Sequence, residues 1–284
     1  MRDSMYFAPT EVEDAVKLLS DYGDQATILA GGTDLVPKIN DYELKPSVLL
    51  YIGNLGIKGV KEENGKLVVG AMTTTSCIAS DPLINEKAGA LAEAARLTGS
   101  DAVRNSGTIG GNLANASPAA DLVPPLLAMD AELVLTGVKG ERTVAITDFF
   151  TGPGKTVLAA SEFIKDIRIP VPQGRVVFLK LGRRKAMTLS VVNVAVRLHT
   201  DGSGCHEARI AIGSMAPTAI RCTQAETMLL GKKLDGELIQ ACAEKAIADT
   251  SPIDDQRATA WYRLQAGKTL VARAVAQAAG VDIQ

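Results

Sequence analysis

The chain has 284 residues, 46% of them hydrophobic and 22% charged, the balance of an ordinary soluble globular protein with room for two or three compact units. A formal net charge of −2, with Lys and Arg scattered among acids, supplies no basic field for a nucleic-acid backbone, so nucleic acid is not an expected partner. Residues 1–10 carry Arg2, Asp3 and Pro9 in place of an apolar secretory stretch, and no later run approaches a membrane span, so a cytoplasmic location is expected.

In chain order, Thr10 followed by Glu13 reads as a capping box for an amphipathic helix that carries Val12, Ala15, Val16 and Leu19 and stops at Gly23. Residues 27–30 read as a strand broken by Gly31-Gly32, a short helix starts near Thr33 or Asp34, and residues 47–52 give the next strand. Strand, helix and strand with apolar strands predict a small parallel α/β subdomain over about 1–55. Asn64-Gly65 lies between residues 60–62 and 66–69 as the turn of a tight hairpin. An Ala-rich helix follows over about 85–97, then a hairpin about Gly137 and Gly140 and a strand over 162–169, an antiparallel α+β subdomain over 56–172. Pro170, Pro172 and Gly174 mark a linker, placing a domain boundary there. Residues 173–284 then read as a three-stranded antiparallel sheet (175–181, 191–198, 206–212) with a helical bundle (223–230, 236–248, 256–279). The fold class is α+β.

The chemistry the side chains can supply is narrow. Cys77, Cys205, Cys222 and Cys242 are far apart, without the close C-x-x-C spacing of zinc or iron–sulfur ligands, and read as reduced, mostly buried thiols. His199 and His206 are the only histidines, a poor supply for a His-ligated metal or a His-based triad. No catalytic side chain and no metal ligand is therefore assigned, and any chemistry needs a borrowed cofactor.

Two glycine-rich segments stand out, Leu29-Ala30-Gly31-Gly32-Thr33-Asp34-Leu35 and Thr108-Ile109-Gly110-Gly111-Asn112. Each brings successive unencumbered N–H groups to a turn beside regular structure, as in an anion-binding nest, and the first precedes a helix whose positive end favours a pyrophosphate. Paired glycines also simply make turns. G-x-G-x-x-G is absent from the first strand–helix junction. Gly154-Lys155-Thr156 and Gly267-Lys268-Thr269 are not P-loops, because Phe149 and Tyr262 stand where the first glycine is required.

Taken together and in this order, the segments resemble the FAD-binding (medium) subunits of molybdenum hydroxylases, the xanthine dehydrogenase and carbon monoxide dehydrogenase flavoprotein family. The resemblance covers nearly the whole chain: residues 30–35 and 104–112, Ala116-Ser117-Pro118-Ala119-Ala120-Asp121, Asp148-Phe149-Phe150-Thr151-Gly152-Pro153, and Lys180-Leu181-Gly182-Arg183-Arg184. It implies that 1–172 is a two-part FAD-binding domain whose segments 30–34 and 108–112 hold the FAD diphosphate, with Leu35 toward the flavin end. Ser117 and Asp121 would lie in the FAD pocket, Asp121 accepting from ribityl hydroxyls, and Leu158 would pack on the isoalloxazine. Lys180 would sit beside the flavin as a cation, and the loop 183–190 would approach it. Asp121 also reads, less readily, as a helix N-cap, Leu158 about as readily as ordinary core, and Lys180 more readily as a solvated strand-end lysine.

By the same resemblance a large partner subunit holds the molybdenum cofactor, a small one carries two [2Fe-2S] clusters, and this chain passes electrons through FAD to NAD+ or another acceptor, in a dimer of heterotrimers. A stand-alone FAD-dependent dehydrogenase or reductase and a flavin-free scaffold subunit remain as alternatives.

Overall fold

The computed structural model describes residues 4–283; Met1, Arg2, Asp3 and Gln284 lie outside the described residues. The first unit comprises β1 (Met5–Phe7), α1 (Val12–Tyr22), β2 (Ala26–Leu29), α2 (Leu35–Asn40) and β3 (Val48–Tyr51). Its sheet is wholly parallel with the order β1-β3-β2, and α1 buries Ala15 and Leu19 beside Leu50 and Phe163. The capping box does not form: Glu11 is the N-cap of α1, and no side chain caps the helix. Three-residue β1 is too short for apolar alternation to reveal it.

The second unit contains β4 (Val60–Glu63), β5 (Lys66–Gly70), α3 (Thr75–Ser80), α4 (Pro82–Lys87), α5 (Gly89–Leu97), α6 (Asp101–Ser106), α7 (Ile109–Asn115), α8 (Val123–Ala128), β6 (Glu132–Gly137), β7 (Gly140–Ala145), β8 (Phe150–Gly152), β9 (Lys155–Thr156) and β10 (Glu162–Pro170). Its main sheet has the antiparallel order β4-β5-β10-β6-β7. Asn64 and Gly65 both take positive φ (50° and 73°), the two-residue turn that matches strand twist, and Glu63 pairs with Lys66. The Ala-rich helix is two helices. Asp81 caps α4 through the N–H groups of Leu83 and Ile84, Ala88 leaves helical geometry at φ −139°, and α5 restarts at Gly89.

The third unit is β11 (Arg175–Gly182), β12 (Ser190–Asp201), β13 (Gly204–Gly213), β14 (Ile220–Arg221), α9 (Thr223–Leu229), α10 (Gly236–Ala248) and α11 (Ala260–Ala279). The antiparallel order is β11-β12-β13-β14, so the expected three strands gain a two-residue edge strand. The last helix starts at Ala260 and not near Gln256, because Thr259 caps it by accepting from the Tyr262 N–H.

Strand alternation places this sheet between two helical layers. Phe178, Ala195 and Ala211 join the core of α5 and α8, while Val194, Val196, Ile210 and Ile212 face α9, α10 and α11. Asp130, just after α8, accepts from Arg197 (2.8 Å), Arg209 (3.1 Å) and Arg221 (2.8 Å), pinning the second unit to three strands of the third. No helix among the described residues is long and apolar enough to cross a membrane.

Candidate cofactor site

The first glycine segment leaves the carboxyl end of parallel strand β2 and enters α2, where open α/β sheets place their ligands. A Cβ on Gly31 would lie 1.9 Å from the Ser106 carbonyl oxygen, so the backbones of the two glycine-bearing segments meet there without an intervening side chain. Gly32 takes φ +72°. Among the described residues, none of the backbone N–H groups of residues 31–35 has a protein acceptor. Five consecutive donors thus remain for a ligand.

The second segment differs from expectation. The N–H groups of Ile109, Gly110, Gly111 and Asn112 are taken by the Thr73 carbonyl, the Ala71 carbonyl, Thr108 Oγ1 and the Thr108 carbonyl, because the first turn of α7 docks on residues 71–73 and is capped by Thr108. It therefore offers no second backbone nest. What it brings is a close backbone and one side chain: Asn112 Oδ1 is buried without a hydrogen-bond partner. A Cβ on Gly111 would meet only Thr108 Oγ1 at 3.0 Å and Ala30 Cβ at 3.8 Å.

Both segments line one cavity of about 840 Å³, within the range of roughly 300–1,000 Å³ typical of small-molecule sites. Ala30, Gly31, Gly32, Thr33, Asp34, Leu35, Thr108, Gly110, Gly111, Asn112, Ser117, Asp121 and Leu158 all reach its wall. Leu29, Ile109 and Lys180 do not: Leu29 belongs to β2, and Ile109 is fully buried in the core beneath α7. Other residues complete the wall. Lys38 of α2, Glu43 and Leu44 after it, Met72 and Phe163, Thr98-Gly99 and Met187-Thr188-Leu189 all contribute to it.

Asp121 is not the N-cap of α8, whose Leu122 cap makes no side-chain bond. Its Oδ1 accepts from Ser190 Oγ (2.5 Å) and Asn193 Nδ2 (2.8 Å), and its Oδ2 from Lys180 Nζ (2.6 Å). A carboxylate has about four acceptor positions, so these three bonds leave one unused. Gly213 makes room for this arrangement, since a Cβ there would lie 2.1 Å from Asn193 Oδ1. Ser190 and Asn193 were not singled out in the sequence, although two polar residues in the otherwise apolar stretch 190–196 of β12 are an available signal.

The loop 183–190 does reach the cleft, through Met187, Thr188 and Leu189. Its basic pair is engaged elsewhere: the Arg183 guanidinium donates to the Gln256 carbonyl at 2.9 Å, and Arg184 Nε to the Met187 carbonyl at 2.9 Å. The four cysteines are unpaired, and only Cys77 is exposed. Burial pushes the Cys242 thiol up to about 12 and raises that of Cys222 as well, so both stay protonated and inert at neutral pH. Among the described residues no three His, Cys, Asp or Glu side chains converge as a metal site.

Two family models match this chain end to end: an FAD binding domain in molybdopterin dehydrogenase over residues 2–172, and a CO dehydrogenase flavoprotein C-terminal domain over residues 177–278. The chain belongs to the FAD-binding flavoprotein subunits of the molybdenum hydroxylases. It is 36% identical to the carbon monoxide dehydrogenase medium chain of Hydrogenophaga pseudoflava over 95% of both chains. It is 32% identical to a putative xanthine dehydrogenase FAD-binding subunit of Escherichia coli K12, over 96% of this chain and 95% of that one. Its fold superposes on the carbon monoxide dehydrogenase structure from H. pseudoflava with a TM-score of 0.93 at 36% identity, covering 98% and 97% of the two chains. Quinoline 2-oxidoreductase from Pseudomonas putida 86 gives 0.93 at 30% identity, with 98% and 97% covered.

The residues present fit the cofactor of this family. Five unclaimed N–H donors suit a diphosphate, the orphaned Asn112 Oδ1 suits a hydroxyl or amide N–H, and the glycines clear a path for a ligand backbone.

Proposed function

We propose that this chain carries the FAD of a multi-subunit molybdenum hydroxylase and hands electrons from the partner subunits to a soluble acceptor. In this reading a small subunit bearing two [2Fe-2S] clusters supplies the electrons, a large subunit bearing the molybdenum cofactor hydroxylates the substrate, and the complex is a cytoplasmic dimer of heterotrimers. FAD, when bound, can take single electrons and release a hydride pair, which joins one-electron clusters to NAD+ or another acceptor.

The observation that carries the reading is the cleft itself. Residues 1–172 supply the diphosphate donors at 31–35, the acceptor Asn112 Oδ1, and Ser117, Asp121 and Leu158, and residues 173–284 close it through Met187, Thr188 and Leu189. Its wall contains no His, Cys or Tyr, so the polypeptide binds and orients without offering a general acid or base that titrates near neutrality. This favours an electron-transfer subunit over a stand-alone dehydrogenase. Met187 and Leu189, 60% and 61% exposed, leave the mouth without an aromatic cover, which favours access by a nicotinamide.

Mild affinity purification from the native source is expected to yield this chain with two further chains, flavin, iron and molybdenum. Adding NADH anaerobically to the FAD-loaded chain is expected to bleach the flavin absorbance within seconds. Bleaching by dithionite but by neither NADH nor NADPH would overturn the nucleotide acceptor; elution of the flavin-loaded chain alone, without metals, would overturn the complex.

A further inference from the structure

Lys180 is the one residue in the β11 signature whose charge is withdrawn from solvent: its side chain is 4% exposed and that of Asp121 6%. It sits behind the cleft and does not line it. All three of its N–H donors are used. Nζ donates to the Leu97 carbonyl at 2.8 Å, to Asp121 Oδ2 at 2.6 Å and to the Thr188 carbonyl at 3.0 Å. Each of these acceptors belongs or adjoins to a different stretch of cleft wall: Leu97 precedes Thr98-Gly99, Asp121 is itself in the wall, and Thr188 lies between Met187 and Leu189. The three stretches come from the end of α5, the approach to α8 and the loop between β11 and β12, distant in sequence; among the described residues the one other hydrogen bond between them is Ser190 Oγ to Asp121 Oδ1, at the end of the loop.

We infer that Lys180 is a positioning residue, a buried three-way tie that fixes three walls of the cleft relative to one another, and not a cationic contact to the flavin ring. The inference rests on the reading of the cleft as the FAD site only for its consequence in binding. The tie itself consists of contacts within the protein and exists without cofactor. A lysine suits it because an ammonium directs three donors tetrahedrally, whereas two of the acceptors are main-chain carbonyls that no substitution can remove. Burying the ammonium is costly unless it is paired, which Asp121 ensures, while Ser190 and Asn193 satisfy the other carboxylate oxygen.

The test is amide hydrogen exchange on the full chain, first without flavin and then with FAD, comparing wild type with Lys180→Met. The tie predicts that exchange in the flavin-free variant rises about tenfold or more across residues 97–99 and 186–190 while the rest of the chain keeps wild-type rates. FAD is then expected to bind about tenfold more weakly, because it must order those walls itself. Should Lys180→Met fail to fold for want of a partner to Asp121, the double variant Lys180→Met/Asp121→Asn removes the stranded charge and is expected to show the same local pattern. Unchanged exchange in the flavin-free variant, with a difference only once FAD is present, would overturn the tie and make Lys180 a direct cofactor contact. A uniform rise over the whole chain would also overturn it. Failure of the wild type to bind FAD would sink the flavin reading and leave the exchange comparison standing.

Discussion

Gly111→Val is expected to leave the chain folded and to weaken FAD binding at least about 100-fold, roughly 2.7 kcal/mol. Gly31 and Gly111, one from each glycine segment lining the cleft, differ in what they serve. At Gly31 a side chain would strike the Ser106 carbonyl at 1.9 Å, so substitution there disturbs the protein's own packing. At Gly111 the nearest atoms are the side chains of Thr108 and Ala30, at 3.0 and 3.8 Å, and the backbone lies in the helical turn of α7 without positive φ. A valine needs Thr108 Oγ1 to give by a few tenths of an ångström, a small adjustment, but its bulk would occupy the space between Gly111 and Ala30, the proposed path of the ligand backbone. Circular dichroism and urea unfolding check the fold, and flavin fluorescence titration checks the affinity. Wild-type affinity in the folded variant would show that the diphosphate does not pass between these segments.

Arg263→Met is expected to lower stability by about 3–5 kcal/mol, the scale for removing one partner of a buried, hydrogen-bonded charge pair. Arg263 is 1% exposed and donates to the Val191 carbonyl at 2.5 Å, the Ser214 carbonyl at 3.1 Å and Asp255 Oδ1 at 2.8 Å. It fastens the irregular segment before α11 to the start of β12 and to Ser214 just after β13. Burial by itself would raise the Asp255 carboxyl, but hydrogen bonds from Arg257, Arg263 and the Arg257 and Ala258 N–H groups outweigh it and hold the group well below the usual carboxylate range. A folded-state value depressed in this way contributes stability that is present above the unfolded value of about 3.9 and is lost as pH falls below it toward the folded value. The variant should therefore lose stability at neutral pH and show a shallower further loss on acidification. Urea midpoints at neutral pH and near about pH 3 measure both; a midpoint within error of wild type at neutral pH would count against the role given to Arg263.

The parts of this molecule that are legible in sequence are those fixed by neighbours in the chain. Asn64-Gly65 specifies its own turn, and Gly32 supplies the positive φ that the turn after β2 requires, whereas Gly31 answers to the distant Ser106 carbonyl. Contacts between distant segments are a different matter. The N–H groups of Gly110 and Gly111 look free in sequence, yet Ala71 and Thr108 take them. Lys180 reads in sequence as a solvated strand-end lysine, but its ammonium is held by Leu97, Asp121 and Thr188, which no local pattern connects. The expected capping box at Thr10 fails for a local reason, since the helix begins one residue later than the motif requires. Strands of two or three residues, β1 and β14, exist only because a longer neighbour offers its edge.

Titration of the flavin-free, folded chain with FAD and, separately, with FMN is the most direct measurement of the claim that the cleft between residues 30–35 and 108–112 holds a flavin dinucleotide. Five unclaimed donors at residues 31–35 and a cavity whose wall includes Lys38, Glu43 and Leu44 fit the proposed diphosphate and the nucleoside beyond it. The predicted result is saturation at a single FAD per chain, with FMN bound at least about 100-fold more weakly. Equal affinity for the two flavins, or no binding of FAD by the folded chain, would contradict it.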